Sequence, residues 1–419
     1  MFKSVNEHVI RTHTKPETRI EFVLVAIAVF FSPLNYFRPG FVFFTLGDFF
    51  ILLAFFVVLF KGRLPLRPLG SASTLWFASV LTFLAGFAAA SIINGDAMAG
   101  ALGLMQYCFS FVLLPWIILR RSRKETETLI FLFVLSIALA MVHGAYYVNF
   151  VPGRNDFVSG NGRLSGLFEK ENESGVLAAL SLVFLVWLRG VHRVTTLGAI
   201  LLFLPVTYGV LLTGSNTAFY LCIVGVTLFV LLTGSVKATV GLTIGVVLFF
   251  IAAVLFGEFF LPEVFQERVF SAVRNADISE SGTIDDRLFL VQESMKFGNE
   301  TLWLGYGIDQ YEEKSAIGAP VHNAYLLTLT EGGAVSLVGL AGLFASGIYV
   351  IWRYKMMMGG AKDTALAVTI LMMLMMVLNT SPHFYARFWL VPWMLGLSVC
   401  LTGREIKLPL VGRPLRRAQ

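Results

Sequence analysis

One histidine and three arginines in this chain have the chemistry to move protons or hold anions: His322, followed by Asn323, and Arg163, Arg287 and Arg387, each beside an apolar run. A neutral imidazole, with an unperturbed pKa near ~6.5, can accept a hydroxyl proton at neutral pH. Guanidinium groups hold phosphate or carboxylate oxygens through paired N–H donors. Two readings stand for His322. A lone surface histidine is often structural, but its place at the start of an apolar run and beside Asn323 favours a general base. Asn172, Asn216, Tyr325, Glu331 and Asp48 are the other polar side chains that could contribute.

The elements that must position these groups are membrane helices. The chain has 419 residues, of which 57% are hydrophobic and only 14% charged, far from a soluble globule. Apolar runs long enough to cross about 30 Å of hydrocarbon recur along almost its whole length. We expect an all-α polytopic membrane protein with about twelve membrane helices. They lie near residues 20–37, 41–60, 74–93, 99–119, 127–149, 174–188, 196–213, 217–233, 238–256, 334–352, 364–379 and 383–402. The whole chain, 1–419, reads as a single membrane domain. Residues 1–21 are basic and lack the apolar core of a cleavable leader.

Short basic loops set the orientation. "KGRLPLR", "RRSRK", "RGVHR" and the tail "GREIKLPLVGRPLRR" fall on one side, together with the N-terminus, if that side is cytoplasmic. The net charge of +6 then reflects topology and implies no nucleic-acid partner. Cys108, Cys222 and Cys400 lie inside apolar runs and suggest neither a disulfide framework nor a metal cluster. The opposite side carries two long loops, 150–173 and 257–333. From Gly257 to Pro320 the second holds twelve acidic and five basic residues, so an anion bound there needs individually placed arginines.

Within that loop "TIDDRLFLVQESMKFG" predicts an amphipathic helix with Thr283 as N-cap, Asp286 as its capping partner and Gly298 at its close. Leu288, Val291 and Met295 would share the face laid on the membrane domain. Arg287 falls in the first turn, where a cation opposes the helix dipole, so it either pairs with Asp285 or Asp286 or serves another purpose. From Val321 to Trp352 the helix-compatible run has 32 residues, too many for one crossing. Gly332-Gly333 is the natural break, giving a short helix from His322 to Glu331 and a span from Ala334. On the short helix Tyr325, Leu326 and Leu329 would share the histidine's face, and Glu331 would point away, unable to orient it.

These residues also carry a family resemblance. "GRLSGLFEKENESG" resembles the R-x-x-G-x-F…N…G loop of the O-antigen ligase and Wzy-type polymerase superfamily, at Arg163, Gly166, Phe168, Asn172 and Gly175. "DDRLFLVQESMKFGNETLWLGYG" resembles its later arginine and G-x-G turn, at Arg287, Gly305 and Gly307. "HNAYLLTLTEGG" resembles its H-N-x-Y signature with a following glutamate and glycine, and the likeness runs over Arg154 to Gly339. The resemblance implies a GT-C-like helical fold in the bacterial inner membrane, with both termini cytoplasmic and the active site periplasmic. It also implies inverting, metal-independent transfer of a glycan from undecaprenyl diphosphate to an acceptor hydroxyl, without a cofactor. His322 would take the acceptor proton, and Arg287 and Arg163 would hold the diphosphate.

The chain departs from the family pattern at "LLTGSNTAF", where ligases carry Ser-Arg and this sequence has Asn216. That leaves Arg163 or Arg387 as a second cation, although Arg387 can also be read as an anchor snorkelling among interfacial aromatics. It also favours a polymerase of O-antigen or exopolysaccharide repeats over a ligase acting on a core lipid or a protein. A transporter would place ionisable groups near the membrane midplane. Asp48 is the only acid well inside an expected span, toward its outer end.

Overall fold

The computed structural model describes residues 19–39, 43–151, 155–168, 170–270, 284–382 and 384–402. Among the described residues the principal helices are α1 (Arg19–Phe31), α2 (Leu46–Phe60), α3 (Ser73–Ile93), α4 (Ala97–Ile118), α5 (Arg123–Phe150), α6 (Glu171–Gly190), α7 (Thr196–Thr213), α8 (Asn216–Leu232), α9 (Val236–Phe260), α10 (Ile284–Glu300), α11 (Gln310–Lys314), α12 (Ala324–Met358), α13 (Ala361–Val377) and α14 (Arg387–Leu401). Each expected span falls on one of these helices. Among the described residues seven are long and apolar enough to cross a membrane: α3 to α7, α9 and α12; α1, α2, α8 and α14 are apolar but shorter. The chain is therefore a polytopic helical membrane protein, but length and composition alone do not reach the expected count of about twelve crossings.

Local chemistry explains the shorter elements. α1 stops at Phe31 because Pro33 disfavours helical backbone at Ser32. α2 starts late, at Leu46, where Thr45 and Asp48 form a reciprocal cap: the Thr45 amide donates to Asp48 at 2.8 Å and the Asp48 amide to the Thr45 hydroxyl at 3.2 Å.

The centre of the bundle is the long contact of α12 with α3. Small residues allow the two backbones to approach: a Cβ on Gly86 would meet the Ser336 amide nitrogen at 2.7 Å, and one on Gly339 would meet the Phe83 Cα at 2.6 Å. Ser336 also donates across the interface to the Phe83 carbonyl at 2.9 Å.

α12 is not one straight helix. Gly333 has φ 71° and ψ −178°, so the helix breaks at the expected glycine pair. The segment 302–307 enters that break and takes up its peptide groups. Tyr306 donates to the Thr330 carbonyl at 2.8 Å, Gly307 to the Glu331 carbonyl at 2.9 Å, and Ala334 to the Leu302 carbonyl at 2.8 Å. Gly305 lies so near the Glu331 peptide that a side chain would collide with it. At the far end of the bundle Arg123 pairs with Asp363 at 2.6 Å, and Trp187 and Tyr354 donate to the same carboxylate.

Gly305→Ala should therefore lower the thermal unfolding temperature of the purified protein, with an overpacking cost of about 1–3 kcal/mol. Gly241→Ala, which meets nothing within 4 Å, should be neutral or slightly stabilising. Equal stability of the two variants would show that the close approach at Gly305 is not needed.

Candidate active site

His322 sits one residue before an N-cap. Asn323 accepts from the Tyr325 and Leu326 amides, each at 3.0 Å, so α12 begins at Ala324 and His322 precedes it. The expectation of a helix starting at His322, with Tyr325, Leu326 and Leu329 on the histidine's face, is corrected accordingly: an asparagine side chain satisfies the first orphan amides better than continued helix would. Asn323 is thereby a capping residue. The turn is tied to α13 by the Ala324 amide, which donates to the Leu378 carbonyl at 2.7 Å, and by the Tyr325 hydroxyl, which donates to the Met375 carbonyl at 2.9 Å. Val321, on the other flank, is buried against Leu290, Tyr311 and Leu327.

That small core also holds α10. Tyr311 places its hydroxyl 3.0 Å from both the Leu290 carbonyl and the Glu293 carboxylate, and Glu293 further accepts from Ser315 at 2.8 Å and the Ala316 amide at 2.9 Å. The buried face of α10 carries Leu290 and Ser294; Leu288 and Met295, expected to face inward, are exposed. The helix runs through Gly298 to Glu300, because Gly298 packs against Leu329 where a larger residue would crowd it. The proposed cap Thr283 lies outside the described residues. Arg287 is half-buried in the first turn.

Arg163 arrives from the loop 155–168, whose isolated bridges join Asn155 to Val158 and Val158 to Leu164. It is buried, donating through Nε to the Thr213 carbonyl at 2.7 Å and through Nη2 to Asn172 at 2.9 Å. Asn172, in the first turn of α6, thus orients an arginine. Burial lowers the Arg163 pKa from its usual value; Glu171 opposes that shift, and the charges of Arg268 and Arg287 add to it. Burial likewise lowers the His322 pKa, with Arg287 and Lys170 adding to the shift. Arg287, on a third segment, thus lies within electrostatic reach of both Arg163 and His322. Sequence reasoning missed Lys170 and Arg268, which look like ordinary loop cations until the chain is folded.

Two residues behave otherwise. Arg387 makes a bidentate pair with Asp48, Nε to Oδ1 at 2.8 Å and Nη2 to Oδ2 at 2.7 Å, and also donates to Gln106 and to the Phe43 carbonyl. Both partners are buried, so this cation joins α14 to α2 and is committed to a carboxylate. Its reading as an exposed interfacial anchor is corrected by that burial. Glu331 is buried at the α12 break and accepts from the Tyr311 amide at 3.3 Å; with His322 outside the helix, their expected opposition on one helix no longer applies. Among the described residues no three His, Cys, Asp or Glu side chains gather as a metal site requires.

Residues 197–341 match the family model described as O-Antigen ligase, which supports the resemblance to the O-antigen ligase and Wzy-type superfamily. The match runs from α7 into α12 and takes in Asn216, Arg268, Arg287, His322 and Glu331. No curated protein matches the chain significantly.

Two outcomes test this geometry. The acid limb of activity against pH should fall below ~6.5, the free-histidine value. Lys170→Gln should move the limb upward, because removing a nearby cation makes the imidazolium easier to form; an unmoved limb would separate Lys170 from His322. Arg387→Ala should cost about 3–5 kcal/mol by leaving Asp48 buried and unpaired, and the double variant Arg387→Ala with Asp48→Ala should recover part of that loss in thermal unfolding. Full stability in the single variant, with lost donor binding, would instead make Arg387 a substrate ligand.

Proposed function

We propose that the protein is an inverting membrane glycosyltransferase that moves a glycan from undecaprenyl diphosphate to an acceptor hydroxyl, acting as a polymerase of O-antigen or exopolysaccharide repeat units. The observation that carries this reading is the place of Arg287, whose charge acts both on Arg163 and on a histidine whose pKa burial and neighbouring cations hold down. A base must be neutral before it can take a proton, and this environment favours the neutral imidazole.

His322 takes the proton of the acceptor hydroxyl as its oxygen bonds to the anomeric carbon. The bond from that carbon to the diphosphate oxygen breaks on the opposite face, and undecaprenyl diphosphate departs with the bonding electrons. Arg163 and Arg287 hold the charge that grows there, a direct electrostatic role that calls for no metal ion. Asn172 orients Arg163, and Asn323 and Tyr325 fix the turn that presents His322. Arg387 and Asp48 hold the bundle together in this scheme and do not touch donor. About twelve crossings would place the site on the periplasmic side of the bacterial inner membrane, with both termini cytoplasmic.

A ligase that delivers the glycan to a core lipid or protein is the second reading, and the description of the matching family favours it. Purified enzyme given one undecaprenyl-diphosphate-linked repeat should make a ladder of longer lipid-linked chains if it is a polymerase. A blank ladder with clean transfer to core lipid would assign it as a ligase.

His322→Ala should remain folded and lose about 10²–10⁴-fold in transfer rate. Arg163→Lys and Arg287→Lys should rescue poorly, since an ammonium lacks the planar fork. Wild-type turnover in His322→Ala, or normal donor use by both lysine variants, would overturn the assignment of those roles.

A further inference from the structure

The corner between α7 and α8, residues 213–216, grips two arginine-bearing segments that are far apart in sequence. On one side the Thr213 carbonyl accepts Nε of Arg163 at 2.7 Å. On the other, Asn216 donates through Nδ2 to the Arg268 carbonyl at 3.4 Å. The segment bearing Arg268 is seated by apolar anchors on both sides of it, Phe265 and Val269, buried against Leu211 and Phe219. Gly214, with φ +53°, lets that segment come close: a Cβ there would meet the Val264 side chain at 2.5 Å and its carbonyl at 3.3 Å. A corner residue with any side chain would push the Arg268 segment away from Arg163.

We propose that Arg268 is a third cation of the diphosphate site and that Asn216 is the positioning residue that holds it there. This inference rests on the diphosphate reading of Arg163 and Arg287. Arg268 is also the first of the two cations whose charge lowers the Arg163 pKa, which is consistent with the two guanidinium groups facing a common space. The charges of Arg268 and Arg287 each act unfavourably on Arg163, and an anion beside Arg163 offsets that effect. The leaving diphosphate gains charge as the glycosidic bond breaks, so an additional cation near Arg163 acts most strongly late in that step. The neutral amide at position 216 then does not leave the site one cation short. It anchors the backbone of the residue that supplies the charge.

Inorganic pyrophosphate, titrated calorimetrically into the purified full-length protein, reports the site without requiring turnover. Arg268→Gln should raise the pyrophosphate Kd about tenfold or more, comparable to Arg163→Gln, and Arg268→Lys should recover only part of the loss. Asn216→Ala should raise Kd about threefold in the native background and hardly at all when Arg268 is already Gln, because a positioning residue acts only through the group it positions. An unchanged Kd in Arg268→Gln, with weakened binding in Arg163→Gln, would overturn this inference and leave the two-arginine reading intact. Unchanged Kd in the Arg163, Arg268 and Arg287 variants alike would overturn the diphosphate reading itself. Additive effects of Asn216→Ala and Arg268→Gln would remove the positioning role. Should Arg268→Gln fail to fold, the lysine variant decides, since a native Kd in Arg268→Lys would equally overturn the proposal.

Discussion

The backbone splice at the α12 break is the interaction on which the site depends. Breaking a helix inside an apolar bundle strips amides and carbonyls of their partners, and in a membrane each unsatisfied group costs several kcal/mol. Residues 302–307 meet that cost by running their own peptide groups into the gap, at Thr330, Glu331 and Ala334. Because those bonds are to main chain, they fix the incoming segment in register. Everything downstream of that register follows: Tyr311 reaches α10, Val321 joins the same core, and the turn carrying His322 is held between two anchored flanks.

Arg163 and Arg287, whose charges act on one another, come from parts of the fold that do not otherwise need one another. Arg163 is held by the end of α7 and the start of α6, and Arg287 rides on a helix docked through Tyr311 and Glu293. Placing cations close together and away from bulk water is unfavourable, and the depressed pKa values of Arg163 and His322 are the signature of that cost. Hydrogen bonds to one neutral carbonyl and one side-chain amide hold Arg163. Arg387 shows the contrasting arrangement, a buried cation matched directly by a carboxylate.

Much of this was legible in the chain before folding, and what was not has physical reasons. Hydropathy located helices because the lipid-crossing requirement writes itself into composition. The break at Gly332-Gly333 was visible because the apolar run was too long for one span. The position of His322 relative to the helix was misread by one capping residue, since Asn323 can continue a helix or start one. The inner face of α10 was misassigned because Leu288 and Met295 share a helical face as well as Leu290 and Ser294 do. Only the tertiary partners Tyr311 and Val321 decide between them. Arg387 could not be recognised as the partner of Asp48, because a contact across 339 residues leaves no local pattern.

That separation has a consequence for how the protein is made. Asp48 lies near the start of α2 and its partner at the start of α14, so a further 339 residues must be synthesised before the carboxylate meets its guanidinium. Until then Asp48 has to stay at the hydrated boundary of the bilayer. The early helices therefore enter the membrane as a provisional assembly until α14 arrives. A chain truncated before α14 would leave that acid without its cation, giving quality-control proteases a reason to distinguish unfinished from finished protein.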